Sequence, residues 1–130
     1  MCRRMTNTSS NKILYANLSY VLTGICFDAH NSIGRYAKEK TYSDFIEDAL
    51  SFKNIPFERE YFISSTNEKA DFMIQDSIIL EIKAKELTLK EDYYQLQRYL
   101  HSCNKKLGLL INFRNRYLKP IRVINPDITL

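Results

Sequence analysis

The chain has 130 residues, of which 45% are hydrophobic and 26% are charged, and its net charge is +4. This length allows one compact domain with one core, and no run of about 18 apolar residues predicts a membrane span. The segment MCRRMTNTSSNK lacks the apolar stretch of a signal peptide, so we expect a cytoplasmic protein. The three cysteines show no C-x-x-C spacing, which argues against a disulfide framework or a zinc site.

Two helices are predicted in the first half of the chain. We expect residues 1–11 to form a flexible N-terminal tail and residues 12–130 to form a single domain. A first helix should end near HNSIG, because apolar residues recur at helical spacing at Leu14, Leu18, Val21, Leu22, Ile25 and Ala29. A second helix is predicted from about residue 37 to 53, since Pro56 prevents its extension.

Three strands are predicted next, in FEREYFIS, ADFMI and IILEIKA. The last two are separated by residues 75–77, a normal length for a hairpin loop. This loop would pair Ile74 with Ile78 and would place Asp71 opposite Glu81.

The remaining elements are one helix and two strands. Thr88 and Glu91 have the spacing of a capping box, which predicts the start of a third helix. KLGLLINF is apolar enough for an interior strand, and KPIRVIN is typical of an edge strand. The order therefore predicts an α/β fold with a mixed central β-sheet flanked by helices. The helix that connects IILEIKA to KLGLLINF indicates one parallel pair of strands.

Charged residues on the third predicted strand suggest chemistry. Glu81 and Lys83 are two residues apart and therefore share a face, whereas Leu80 and Ile82 point to the opposite face. Two carboxylates directly opposite each other, Asp71 and Glu81, destabilise a plain sheet unless a cation such as Mg²⁺ or Mn²⁺ lies between them. Lys83 could then orient an attacking water. The alternative is an exposed ion pair of Glu81 and Lys83 without a function.

The basic residues are unevenly distributed. Residues 105–126 contain six basic residues and no acidic one, whereas residues 39–60 lean acidic. Such asymmetry is typical of a protein that meets phosphate groups with one side, and a solvated basic rim is the alternative.

Several stretches together resemble the GxxExxY family of the PD-(D/E)XK nuclease-like superfamily. They are, in order, LTGICFDAHNSIG, EKTY, IPFERE, ADFMI, ILEIKA, YQLQRYL and LGLLINF. The resemblance implies a restriction-endonuclease-like αβββαβ core. It also implies a site with Asp71, Glu81 and Glu39 as metal ligands and with Lys83 and Gln95 as further catalytic residues.

The resemblance extends to Tyr42, which matches the tyrosine of the family's name motif. The chain departs from the family at Tyr36, where the family usually has glycine, although Gly34 is retained nearby. This departure affects the loop that leads into the second helix and therefore the placement of Glu39.

Two functions follow as hypotheses. The first is a nuclease that uses Mg²⁺ or Mn²⁺ to hydrolyse phosphodiester bonds in DNA or RNA. The second is a non-catalytic regulatory module that keeps the fold and binds nucleic acid or protein. A protein partner or a homodimer is compatible with either hypothesis, since the short chain has no separate module for reading sequence.

Overall fold

The computed structural model describes residues 7–128, with side chains described from residue 15 onward. The elements in chain order are α1 (Asn7–Ile33), α2 (Glu39–Phe52), β1 (Phe57–Ile63), β2 (Glu68–Ile74), β3 (Ile78–Lys83), α3 (Lys90–Cys103), β4 (Leu107–Asn112) and β5 (Ile121–Ile124). The order predicted from the sequence and the α/β class are confirmed. None of the helices among these residues is long and apolar enough to cross a membrane.

The first helix starts earlier than the sequence suggested. It begins at Asn7, inside the segment 1–11 that we expected to be a flexible tail. Residues 1–6 of that segment, and the side chain of Leu14, lie outside the described part of the chain.

The five strands form one sheet in the order β1-β2-β3-β4-β5. Strands β3 and β4 are parallel, and the other neighbouring pairs are antiparallel, as predicted. The predicted pairing of Ile74 with Ile78 is also confirmed. All six residues of β4 are buried, which agrees with its apolar sequence, and β5 lies at an edge.

Helices cover both faces of this sheet. One cluster of buried side chains joins α1 and α2 to the face that carries Leu80 and Ile82. A second, smaller cluster joins α3 to the other face, which carries Ile79. Helix α3 approaches β4 so closely that a Cβ atom on Gly108 would lie 2.9 Å from the side chain of Leu96. The sheet is therefore a middle layer between two cores.

The start of α3 differs from the prediction. Thr88 and Glu91 do not form the capping box, because the helix begins at Lys90. The carboxylate of Asp92 instead accepts a hydrogen bond from the backbone N–H of Leu89 at 2.8 Å. The pair that closes the start of the helix therefore has the predicted three-residue spacing but lies one residue later, at Leu89 and Asp92.

Candidate active site

Strands β2 and β3 part at the level of Asp71 and Glu81. Their regular pairing ends at Phe72 and Leu80, one step before these acids. The backbone N–H of Asp71 donates to Glu81 Oε1, and the backbone N–H of Ile82 donates to Asp71 Oδ2, both at 2.7 Å. Carboxylate oxygens therefore replace the backbone carbonyls that would continue the sheet. The predicted proximity of Asp71 and Glu81 agrees with this geometry.

The backbone of β2 changes direction at the same place. Ala70 and Phe72 are two residues apart and would share a face in a regular strand. Ala70 instead packs in the cluster under α3, whereas Phe72 packs in the cluster under α1 and α2. In β1, Glu60 lies between the pairs of Arg59 and Tyr61 with β2 and has a positive φ of 54°. Such strain, which costs about 1–3 kcal/mol, tends to collect at functional sites.

Burial determines the electrostatics of the two acids. Desolvation raises the pKa of both Asp71 and Glu81 above the ordinary values. The charge of Glu39 raises the pKa of Asp71 further, and the charge of Asp71 does the same to Glu81. The backbone hydrogen bonds and Lys83 act in the opposite direction. Two buried carboxylates of this kind are stabilised in their ionised form by a nearby cation.

Lys83 lies beside these acids on the same face of β3 as Glu81. Its Nζ atom is 3.9 Å from Glu81 Oε2 and donates a hydrogen bond to Gln95 Oε1 at 3.2 Å. Gln95 comes from α3, so the helix after β3 positions the lysine head group. The structure thus brings together Asp71, Glu81, Lys83 and Gln95, four of the five residues that the sequence singled out.

Glu39 lies at the margin of this group. It is the exposed first residue of α2, and it lines a pocket of about 290 Å³ together with Asp71, Arg59, Lys40, Ser43 and Glu60. Within the described side chains, no three acids, histidines or cysteines are placed to hold a metal ion together. Glu39 therefore faces the same pocket as Asp71 without completing a three-ligand cluster.

Tyr42, three residues after Glu39, has a structural role in the loop that precedes α2. Its ring is fully buried and stacks on Phe113 with 4.1 Å between ring centroids. Its hydroxyl donates to the carbonyl of Gly34 and accepts from the backbone N–H of Ala37. Tyr42 thereby fixes the loop before α2 and, with it, the position of Glu39.

Sequence reasoning missed three polar residues that support the site, namely Lys85, Asp92 and Asn112. Asp92 is buried on α3, accepts a hydrogen bond from Lys85 Nζ at 2.7 Å and lies 3.9 Å from Lys83 Nζ. Asn112, buried at the end of β4, accepts from the backbone N–H of Lys85 and donates to its carbonyl. The sequence signal that could have identified Asn112 is its position at the end of an apolar strand, because a buried amide needs hydrogen-bonding partners.

The donor set suits a hard divalent cation. Asp71 Oδ2 and Glu81 Oε1 are used by backbone N–H groups, whereas Asp71 Oδ1 and Glu81 Oε2 accept no hydrogen bond from the described residues. Free carboxylate oxygens are the ligands that Mg²⁺ and Mn²⁺ prefer. The residues present therefore fit such a metal.

The chain was also compared with known proteins. A family model described as the PD-(D/E)XK nuclease superfamily matches residues 16–123, which include every element that carries a site residue. No curated protein and no solved structure matches the chain.

Proposed function

The chain belongs to the PD-(D/E)XK nuclease superfamily, and from that premise we propose that it hydrolyses phosphodiester bonds in nucleic acid with the help of a divalent metal ion. The observation that carries this proposal is the convergence of Asp71, Glu81 and Lys83 where β2 and β3 part. The same arrangement would have no advantage in a purely structural sheet, since it gives up backbone pairing for buried charges.

The two buried acids have the first role in this proposal. Asp71 and Glu81 bind Mg²⁺ or Mn²⁺, and Glu39 is a further acidic ligand from the pocket that it shares with Asp71. The bound metal supplies Lewis-acid polarisation of the scissile phosphate. The hydrogen bonds from the backbone of Asp71 and Ile82 keep both carboxylates oriented before the substrate arrives.

Lys83 has the second role. Its side chain is only 18% exposed, so its charge acts through a medium that screens it less than water does. It donates a hydrogen bond to the attacking water or to an oxygen of the phosphate, where negative charge develops. Gln95 accepts a hydrogen bond from Lys83 and so limits the rotation of its long side chain.

The finer resemblance to the GxxExxY family belongs to this proposal as well. Glu39 and Tyr42 would be the two residues of the name motif, with Tyr42 positioning the loop and Glu39 serving the metal. We expect the activity in the cytoplasm.

A comparison of wild type with Lys83→Ala tests the proposal. Labelled single- and double-stranded DNA and RNA are incubated with Mg²⁺, with Mn²⁺ or with EDTA, and cleavage is measured on gels. We expect cleavage that requires the metal and that falls about 100-fold or more in the variant, because a charged transition-state contact is lost. Lys53→Ala, an exposed lysine at the end of α2, is the matched control and should cleave like wild type.

Two results would contradict the nuclease. Cleavage that persists in EDTA, or that is as fast in Lys83→Ala as in wild type, would contradict the metal-dependent site proposed here. Retention of nucleic acid without cleavage under any metal would favour the non-catalytic binding module instead.

A further inference from the structure

We infer that Arg35, Tyr36 and Arg114 form a surface, here called the Arg–Tyr platform, that binds an unpaired nucleotide of the substrate strand next to the active site. This inference rests on the proposed nuclease function and narrows its substrate to single-stranded or locally opened nucleic acid. It is carried by the exposure of one aromatic ring, by the two guanidinium groups beside that ring, and by the hydrogen bonds that tie these residues to the end of β3 next to Lys83.

Tyr36 is the exposed member of the platform. Its side chain is 73% exposed, although it lies in a loop whose neighbours are well ordered by hydrogen bonds. The guanidinium carbons of Arg35 and Arg114 lie 5.1 and 5.5 Å from the centre of its ring. A tyrosine that served only to pack two loops together would be buried between them. The exposed ring is therefore available to a ligand.

The two arginines are held in place by each other's backbone. Arg35 Nε donates to the carbonyl of Arg114 at 2.8 Å, and Arg114 Nε donates to the carbonyl of Arg35 at 3.0 Å. Arg114 Nη2 also donates to the carbonyl of Ala84 at 3.3 Å. These bonds fix both guanidinium planes in advance, which lowers the entropy that binding costs.

The platform adjoins the catalytic strand. Ala84, which accepts from Arg114, directly follows Lys83, and the backbone N–H of Phe113 donates to the carbonyl of Lys83 at 2.8 Å. His30 adds a further tie, since its Nε2 atom lies 2.8 Å from the carbonyl of Asn115. A strand that reaches Lys83 with one phosphate therefore lies within reach of the platform with a neighbouring nucleotide.

The basic residues near the end of the chain are divided between the two ends of β4. Lys105 binds Asp76 at 3.0 Å and Lys106 binds the carbonyl of Ile128 at 2.8 Å, both before the first residue of β4. Arg114 and Arg116 follow the last residue of β4, on the side of Lys83. On the Lys83 side of β4, positive charge thus comes from Arg114 of the platform and from Arg116, whereas Lys105 and Lys106 lie at the other end.

The chemistry of the platform matches an unpaired nucleotide. An aromatic ring stacks on any exposed base, which contributes about 1–3 kcal/mol per base. The guanidinium groups can contact the adjoining phosphates. A base inside a duplex is already stacked and paired on both sides, so a lone tyrosine ring gains little from it. The platform therefore favours single strands over duplexes.

Binding of fluorescent oligonucleotides to the full chain tests this inference. All variants carry Lys83→Ala, so that cleavage is suppressed and the same substitution is present in every protein compared. Affinity is measured by fluorescence anisotropy with Mg²⁺. We expect Tyr36→Ala to weaken binding of short oligothymidine about tenfold, by loss of one stacked base. Binding of a closed duplex should change less than twofold, and Tyr36→Phe should behave like tyrosine.

The matched control is Tyr20→Ala, which removes a similarly exposed tyrosine from α1 and should change neither affinity. Equal losses on both ligands, no loss on the single strand, or no binding of oligothymidine before Tyr36 is changed would each overturn the platform. The nuclease proposal is tested separately, and it fails if the wild type shows no metal-dependent cleavage. Binding to single strands that depends on Tyr36 would still support the platform in that case.

Discussion

The two ends of strand β3 differ in what holds them. At its start, Ile78 pairs with Ile74 on one side and with Leu107 on the other, and all three residues are buried and apolar. At its end, pairing with β4 continues to Lys83, but pairing with β2 has already stopped and carboxylates replace it. We call these the closed end and the open end.

This comparison shows how one strand serves both stability and chemistry. The closed end buries apolar surface and satisfies its backbone with regular pairing, so it contributes to the free energy of unfolding. The open end keeps one regular neighbour, β4, as a support for Glu81 and Lys83. Its other side is free for groups whose burial costs stability and which a ligand would stabilise.

The largest expected effect tests the closed end. Ile78→Ala removes a fully buried side chain between β2 and β4 and should lower the free energy of unfolding by about 3 kcal/mol. Urea denaturation followed by circular dichroism measures this change. Ile124→Ala, on an edge strand and 40% exposed, is the control and should cost less than half as much. Similar losses in both variants would mean that the closed end is not specially stabilising.

The next effect tests the open end and has the opposite sign. Because the pKa of Glu81 is raised in the folded protein, its ionisation costs more when folded than when unfolded. This cost is absent below the ordinary pKa of 4.5 and grows as the pH rises. Glu81→Gln should therefore raise the free energy of unfolding by roughly 2 kcal/mol at pH 8 and change it little at pH 4.

Denaturation of both proteins at the two pH values, without metal, measures this difference. Glu58→Gln, an exposed acid on β1, is the control and should show no such pH dependence. Added Mg²⁺ should stabilise wild type more than Glu81→Gln, because only the wild type has the carboxylate charge. A Gln variant that is less stable than wild type at pH 8 would contradict the assigned cost.

The smallest effects come from two lysines, one near each end. Lys85 binds Asp92, whose side chain is 8% exposed, whereas Lys105 binds Asp76, whose side chain is 86% exposed. Lys85→Ala should cost about 1–2 kcal/mol, because the buried carboxylate of Asp92 keeps its hydrogen bond from the backbone of Leu89 but has only the more distant Lys83 as a cation. Lys105→Ala should cost less than about 0.5 kcal/mol. Thermal unfolding of both variants separates the two cases, and equal shifts would contradict the difference in burial.

Much of the fold and part of the site followed from local sequence. Helical spacing, alternation and the short loop at residues 75–77 were enough to predict the eight elements and the pairing of Ile74 with Ile78, because these patterns act between near neighbours. The proximity of Asp71 and Glu81 followed from that pairing. The replacement of backbone pairing by their carboxylates could not be predicted, because the change of direction at Ala70 and Phe72 depends on packing against both faces of the sheet.

Other features depend on contacts that are distant along the chain. Asp92 looked like an ordinary acid in the first turn of a helix, and only the fold brings it to Lys85 and Lys83. Tyr36 and Arg114 are far apart in sequence, so their contact leaves no periodic signal. The helix start was misplaced by one residue because Thr88 and Glu91 fit the capping pattern, whereas the helix uses Asp92, which accepts a hydrogen bond from the backbone of Leu89, a residue whose side chain cannot cap.

Gly108 sets a spacing on which the lysine depends. Leu96 occupies the place where any larger residue at this position would put its first carbon atom. Adding that atom would force the side chain of Leu96 to shift, and Gln95, which accepts a hydrogen bond from Lys83, is the residue next to it on α3. The absence of a side chain at Gly108 thus allows α3 to pack close to β4 in the same turn that brings Gln95 to the ammonium group of Lys83.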